Sequence, residues 1–91
     1  IPFNIASYSL LTHLIAKHCD LEAYEFIHYV GNCHIYEEHI EQVKTQISRT
    51  PYEFPTLKIL NKKENISDYT IDDFKLENYQ HHPRIKASMV V

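Results

Sequence analysis

The sequence predicts an α+β fold, and three segments carry that prediction. Residues 4–19 and 40–47 place apolar side chains at helical spacing, whereas residues 26–36 are rich in aromatic and β-branched side chains. The chain has 91 residues, of which 44% are hydrophobic. This length allows at most one small domain, and the composition is globular rather than disordered.

The first helix is predicted at residues 4–19, which contain neither proline nor glycine. Asn4 is a good N-cap residue because its side chain can accept a hydrogen bond from the first turn. The apolar positions cover most of the cylinder: Ile5, Ala6, Tyr8, Leu10, Leu11, Leu14, Ile15 and Cys19. We therefore expect this helix to be buried on several sides, by chain outside these residues or by a partner.

A long strand is predicted at residues 26–36. Before Gly31 the apolar side chains occupy both alternating positions, which implies cover on both faces. Gly31 is the only glycine of the chain, and in mid-strand it indicates a bulge or a close backbone approach.

The remaining elements are shorter. Residues 40–47 form an amphipathic helix that stops before Pro51, residues 56–60 and 74–79 are strand candidates, and residues 61–65 form a polar turn. The last ten residues, here called the tail segment (residues 82–91), contain a proline and end in an apolar Met-Val-Val sequence. Such a terminus is expected to fray when nothing covers it.

The composition narrows the classes of function. Only Arg49 and Arg84 among nine basic residues are arginines and the net charge is −3, which argues against a nucleic-acid partner. No apolar run approaches the roughly 18 residues of a membrane span, so no membrane partner is expected. Two cysteines are too few for a disulfide scaffold, and a reducing, cytoplasmic compartment is the simpler interpretation. The chain opens with Ile1 rather than Met and is expected to be cut from a longer protein.

Two groups of polar residues are candidates for ligand binding. Strand alternation puts Asn32, His34 and Tyr36 on one face, where they either bind a ligand's hydroxyl groups or form an ordinary polar surface. The carboxamide of Asn4 offers one acceptor and two donors, so it can pair with an imide N–H and its neighbouring carbonyl, the edge that uracil presents. The competing interpretation of Asn4 is the helix cap alone.

Metal binding and cysteine catalysis are weaker interpretations. Cys33, His34 and His39 lie close together in the sequence and are candidate metal ligands. Strand alternation separates Cys33 from His34, however, and adjacent His81 and His82 have the same defect, so no metal site is predicted. Cys19 and Cys33 are expected to be buried structural thiols, because a reactive cysteine needs an electropositive and partly exposed setting.

Two sequence motifs resemble the thymidylate synthase family: Pro2-Phe3-Asn4-Ile5-Ala6-Ser7-Tyr8 and Gly31-Asn32-Cys33-His34-Ile35-Tyr36. The similarity runs through essentially all 91 residues, down to Lys86 and Met89. It implies that residues 1–91 are the C-terminal segment of a single thymidylate synthase domain, with helices packed on a mixed β-sheet. An Asn at the position of Asn32 also occurs in synthases fused to dihydrofolate reductase, so such a fusion is an open alternative.

The resemblance implies an enzyme that reductively methylates dUMP to dTMP, with 5,10-methylenetetrahydrofolate as co-substrate and no metal. Asn4 resembles the residue that binds the pyrimidine edge, and His34 and Tyr36 resemble the pair that binds the 3′-hydroxyl of the deoxyribose. The folate contacts implied by the resemblance are Phe3, Met89 and Val90. The family's nucleophilic cysteine follows a proline, whereas Cys19 follows His18 and Cys33 follows Asn32, so the nucleophile is expected upstream.

The resemblance also implies a homodimer formed through a face of the sheet. The enzymatic alternative is a deoxyuridylate hydroxymethylase on the same scaffold, in which water rather than hydride completes the reaction. The alternative from another class is a non-catalytic binding fragment, in which the polar face of His34 and Tyr36 is ordinary surface. Residues 1–91 alone are expected to be inactive.

Overall fold

The computed structural model describes residues 1–90. Its helices and strands follow in the order α1 (Pro2–His18), α2 (Ile40–Ser48), β1 (Thr56–Ile59) and β2 (Phe74–Glu77). Two helices and a two-stranded sheet agree with the predicted α+β class. Among the described residues, no helix combines the length and the apolar character that crossing a membrane requires.

Helix α1 confirms the first predicted helix but starts earlier. Ile1 occupies the N-cap position and Pro2 the first helical position, where its missing N–H costs no intrahelical hydrogen bond. The prediction that Asn4 caps the helix is therefore wrong, because Asn4 lies inside the first turn. Its carboxamide is not committed to the cap.

The C-terminus of α1 closes in a Schellman motif. The Leu21 N–H donates to the Ala16 carbonyl over 2.8 Å, and the Asp20 N–H donates to the Lys17 carbonyl over 3.3 Å. Asp20 adopts a left-handed φ of 57°, a conformation that aspartate tolerates better than most residues. Lys62 Nζ lies 2.7 Å from Asp20 Oδ2 and ties this turn to the loop after β1.

The described chain is open. Its radius of gyration is 16.4 Å, compared with roughly 12 Å for a compact domain of this length. Its accessible surface is 8364 Å², whereas a compact monomer of this mass exposes about 5500 Å². Within residues 1–90, Ala16 is the one buried apolar residue, at 9% exposure. The apolar surface of α1 thus lacks, within residues 1–90, the cover that its sequence pattern predicts.

The strand predicted at residues 26–36 is wrong. These residues form no strand and bend at Gly31 and Asn32. A strand requires a hydrogen-bonded neighbour, and the sheet among the described residues consists of β1 and β2 alone. The close approach predicted at Gly31 is wrong as well, since a Cβ added there would meet no atom within 4 Å.

The two described strands pair antiparallel, and the mixed sheet expected of the whole domain, which needs at least three strands, stays a prediction. Thr56 of β1 pairs with Glu77 of β2, and Ile59 pairs with Phe74, so the predicted short strands are confirmed with slightly shorter bounds. Helix α1 lies against β1. The connection between the strands holds two 3₁₀ turns, Ile66–Asp68 and Ile71–Asp73.

Side-chain hydrogen bonds order the connection between β1 and β2. The Lys63 N–H donates to the hydroxyl of Tyr69 over 3.1 Å, and the same hydroxyl lies 3.1 Å from Nδ1 of His18 at the end of α1. Asp73, at 4% exposure, accepts a hydrogen bond of 2.8 Å from the Thr70 N–H and lies 3.4 Å from Lys63 Nζ. The contact between Tyr69 and His18 ties the hairpin to the C-terminal end of α1, and the others order the connection itself.

We expect the full-length protein with Asp73→Asn to melt a few degrees lower at neutral pH. The hydrogen bond from the Thr70 N–H and the positive charge of Lys63, acting against burial, lower the pKa of Asp73 below its ordinary value of 3.8. Because the folded pKa is lowered, the carboxylate stabilises the fold above pH 3.8 and loses this effect as the pH falls through the folded value.

The measurement is the melting temperature of both proteins between pH 7 and pH 3. The difference should stay constant near neutral pH and close below about pH 4. Asp72→Asn, which neutralises the neighbouring exposed carboxylate, is the matched control. A difference between Asp73→Asn and the unaltered protein that does not change with pH would refute the charge-based explanation.

Candidate functional site

A groove of about 760 Å³ lies at the N-terminal end of α1. The first turns of α1 form one wall, and the segment that reaches the bend at Gly31 and Asn32 forms the other. The lining residues are Ile1, Asn4, Tyr8, Phe26, Ile27, His28, Tyr29, Val30, Gly31 and Asn32. Neither lysine nor arginine lines it, so the groove suits the uncharged part of a ligand, and a phosphate group would need its cations elsewhere.

Asn4 and Asn32 both line this groove, Asn4 on the wall formed by α1 and Asn32 on the wall at the bend. Asn4 projects from a helical turn, which fixes its backbone, while Asn32 lies at the bend. A carboxamide both donates and accepts hydrogen bonds, so the groove can recognise a planar ring whose edge carries a donor beside an acceptor. The aromatic side chains of Tyr8 and Phe26 provide apolar surface beside these amides.

His34 and Tyr36 form a second cluster just after the bend. Their rings meet edge to face with centroids 5.6 Å apart, although no strand holds them. An extended backbone still places residues i and i+2 on the same side, which is why the predicted pairing survives the loss of the predicted strand. Tyr36 is 49% exposed, so part of the residue is accessible to a ligand. Neither residue is among those that line the groove of Asn4.

The residues expected to contact folate lie on separate elements. Phe3 stands on the first turn of α1 at 82% exposure, whereas Met89, at 87% exposure, and Val90 lie in the tail segment. The last tail residue, Val91, lies outside the described residues. The described chain leaves both apolar side chains, those of Phe3 and Met89, available for a flat apolar ligand.

The tail segment lies along α2 and runs antiparallel to it. Arg49 donates to the Pro83 carbonyl over 2.7 Å, Gln42 to the Lys86 carbonyl over 3.4 Å and His39 to the Ser88 carbonyl over 2.6 Å. At the base of the tail, His82 stacks on Tyr52 with ring centroids 4.6 Å apart. Side chains on or flanking α2 thus anchor the tail up to residue 88, and the fraying predicted for the apolar terminus that follows stays a prediction.

His39 is a residue that sequence reasoning considered only as a metal ligand. Its ring packs edge to face on Tyr36, with centroids 5.8 Å apart, while its Nε2 reaches the tail. The available signal was its spacing, because a residue three positions after Tyr36 returns to the same side of the intervening 3₁₀ turn, Glu37–His39.

The described residues do not assemble a metal centre: among residues 1–90, no group of three or more His, Cys, Asp or Glu side chains is placed to hold an ion. Cys19 and Cys33 are free thiols, and both are exposed. The expectation that they are buried is therefore wrong. The reason is the same as for α1, since the apolar elements that carry them are not covered within this part of the chain.

Comparisons with known proteins identify the family. A family model described as thymidylate synthase matches residues 1–91. The chain is 60% identical over its whole length to a thymidylate synthase of Francisella philomiragia and 58% identical to one of Francisella tularensis subsp. holarctica, and it covers 33% of each relative. It is also 55% identical over 89 residues to the bifunctional dihydrofolate reductase-thymidylate synthase of Plasmodium berghei, covering 98% of the chain and 15% of that protein. The chain thus spans about a third of the length of its thymidylate synthase relatives, and it belongs to the thymidylate synthase family.

Proposed function

We propose that the protein containing this chain converts dUMP to dTMP, with 5,10-methylenetetrahydrofolate becoming dihydrofolate. The observation that carries this proposal is the family match over all 91 residues, together with relatives named thymidylate synthase at 58% and 60% identity. When bound, the folate supplies the one-carbon unit and the hydride. The residues described here contribute binding and orientation.

We assign Asn4 to the pyrimidine. Asn4 lines the groove and its carboxamide is not used for helix capping, so one acceptor and one donor are available for the N3–H and O4 of uracil. Discrimination against cytosine follows, because cytosine has a donor in place of O4. The groove lacks lysine and arginine in its lining, which fits a neutral base rather than the phosphate.

We assign His34 and Tyr36 to the 3′-hydroxyl of the deoxyribose. A phenol and an imidazole can each donate or accept a hydrogen bond, and the edge-to-face contact holds the two rings in a fixed relation. Asn32 lines the groove and lies two residues before His34, so the chain leads directly from the groove assigned to the base to the residues assigned to the ribose.

We assign Phe3, Met89 and Val90 to the folate. The exposed ring of Phe3 and the exposed thioether of Met89 suit the planar aromatic groups of a folate. No metal takes part in this proposal. The nucleophilic cysteine is proposed to come from the rest of the protein, since the chain spans only a third of its relatives and neither Cys19 nor Cys33 follows a proline.

We further propose that residues 1–91 form the C-terminal segment of one thymidylate synthase domain and that the intact enzyme is a cytoplasmic homodimer. The many exposed apolar side chains support the dimer, because they offer area to a second subunit as well as to the rest of the domain. Fusion to dihydrofolate reductase, as in the Plasmodium berghei relative, is compatible with this arrangement.

A product assay of the full-length protein tests the proposed activity. Incubated with dUMP and methylenetetrahydrofolate, it should form dTMP and dihydrofolate in equal amounts, and Lys44→Ala, on the exposed face of α2, should not alter the rate. Formation of 5-hydroxymethyl-dUMP with tetrahydrofolate would instead identify a hydroxymethylase. Absence of both products would leave a binding protein and refute the proposal.

A further inference from the structure

Three hydrogen bonds hold the tail segment against α2, and in each a side chain donates to a main-chain carbonyl. The donors are the side chains of Arg49, Gln42 and His39, and the acceptors are main-chain carbonyls of the tail. The tail therefore needs no particular side chains for these contacts, whereas α2 and its flanks need donors of suitable length. Each bond also satisfies a carbonyl that a tail without regular structure leaves unpaired.

His39 provides the tightest of the anchors near the apolar end of the tail. Its distance of 2.6 Å to the Ser88 carbonyl compares with 3.4 Å for the Gln42 bond, and Met89 and Val90 follow immediately. Because a carbonyl only accepts, Nε2 of His39 must carry the hydrogen. His39 is also the N-cap residue of α2, but its side chain makes no capping hydrogen bond and is thus free to reach the tail.

The His39 ring also contacts the cluster formed by His34 and Tyr36. Tyr36 packs edge to face on His39 with an interplanar angle of 85°, and His34 packs on Tyr36 at 80°. The chain of contacts thus runs from His34 through Tyr36 and His39 to the backbone of Ser88. A ligand that orders Tyr36 also restricts the ring of His39 and with it the anchor of the tail.

We propose that His39 is a positioning residue that holds the tail segment beside the Tyr36 side of the nucleotide site, so that nucleotide binding prepares Met89 and Val90 to meet the co-substrate. This inference rests on the proposed function. It assigns a role to a side chain that touches neither nucleotide nor folate in that proposal and acts through Ser88.

Two substitutions in the full-length protein separate the two contacts of His39. H39F keeps a ring against Tyr36 and removes the donor, whereas H39Q keeps an amide donor near the position of Nε2 and removes the ring. We expect H39F to raise the KM for methylenetetrahydrofolate about tenfold, with the Kd for dUMP unchanged, as loss of one well-formed hydrogen bond predicts. H39Q should restore that KM to within about threefold of the unaltered protein.

Hydrogen–deuterium exchange supplies a readout that needs no turnover. Residues 86–90 should exchange faster in H39F than in the unaltered protein or in the control Lys44→Ala, which changes α2 on a face remote from the tail anchors. If H39F melts early, His39→Asn replaces it, because that shorter amide cannot reach Ser88. Unaltered exchange of residues 86–90 in H39F would overturn the proposal, and so would equal KM increases in H39F and H39Q.

The outcomes distinguish this proposal from the proposed function. A protein that forms no dTMP but shows faster tail exchange in H39F refutes the assigned activity and retains the anchor. A protein that forms dTMP while H39F keeps the normal KM and exchange refutes the role of His39 alone.

Discussion

Replacing Asn4 by Asp is expected to reduce the preference of the intact enzyme for dUMP over dCMP by about 10- to 100-fold. The carboxylate has no donor, so O4 of uracil would face a negative oxygen and lose its partner, at a cost of about 1–3 kcal/mol. The exocyclic amino group of cytosine can donate to the same carboxylate. The change therefore acts on both nucleotides in opposite directions.

The measurement is the ratio of kcat/KM for dUMP to that for dCMP. The groove offers a matched control in Asn32→Asp, which makes the same chemical change on the opposite wall. We expect the control to weaken the binding of both nucleotides equally and so to leave the ratio of their kcat/KM values unchanged. An unchanged ratio in Asn4→Asp would show that Asn4 does not read the base.

The second large effect is expected from His34→Ala and Tyr36→Phe, each of which should raise the Kd for dUMP about tenfold by removing a hydrogen bond to the 3′-hydroxyl. The double variant should raise the Kd for dUMP by a factor smaller than the product of the two single increases. The rings contact each other at 5.6 Å, so removing one already releases the other from its orientation. Equilibrium binding of dUMP to the full-length protein measures all three values.

The 2′,3′-dideoxy analogue of the nucleotide supplies the decisive comparison, because it lacks the hydroxyl in question. The unaltered protein and both variants should bind it with similar Kd values. Tyr24→Phe, which removes a hydroxyl from a tyrosine that is 93% exposed, is the control for the substitution itself. Equal losses for dUMP and the analogue would mean that these residues support the fold rather than the ribose.

The local elements of this fold could be predicted from sequence. Helix α1 and helix α2 follow from apolar spacing, and the short strands β1 and β2 follow from β-branched and aromatic residues between turn signals. These signals lie within a few residues of one another. The N-terminal boundary of α1 failed for a local reason too, since Pro2 begins the helix ahead of the better capping residue Asn4.

The predicted strand at residues 26–36 failed for a nonlocal reason. Its composition shows that the segment can pair and be covered, but pairing depends on a neighbour that residues 1–90 do not supply. The exposed thiols of Cys19 and Cys33 have the same origin. An apolar pattern in the sequence predicts which surfaces are buried in a complete protein, whereas in residues 1–90 these surfaces are exposed.

For the candidate site, sequence reasoning selected the side chains but not their connections. Alternation paired His34 with Tyr36, and hydrogen-bond chemistry singled out Asn4. The anchoring of the tail had no sequence signal, because its acceptors are backbone carbonyls that every residue carries. The donor His39 was considered only as a metal ligand beside Cys33 and His34.

A tail that is held by its carbonyls has consequences for how this region changes over evolutionary time. Substitutions at Lys86 or Ser88 leave the docking contacts in place, so these positions are open to drift. Substitutions that remove the donor of Gln42 or Arg49 weaken the docking of the tail, so we expect selection against them. Tail side chains, including one as bulky as Val90, can thus be substituted and alter what the tail contacts without a compensating substitution in α2.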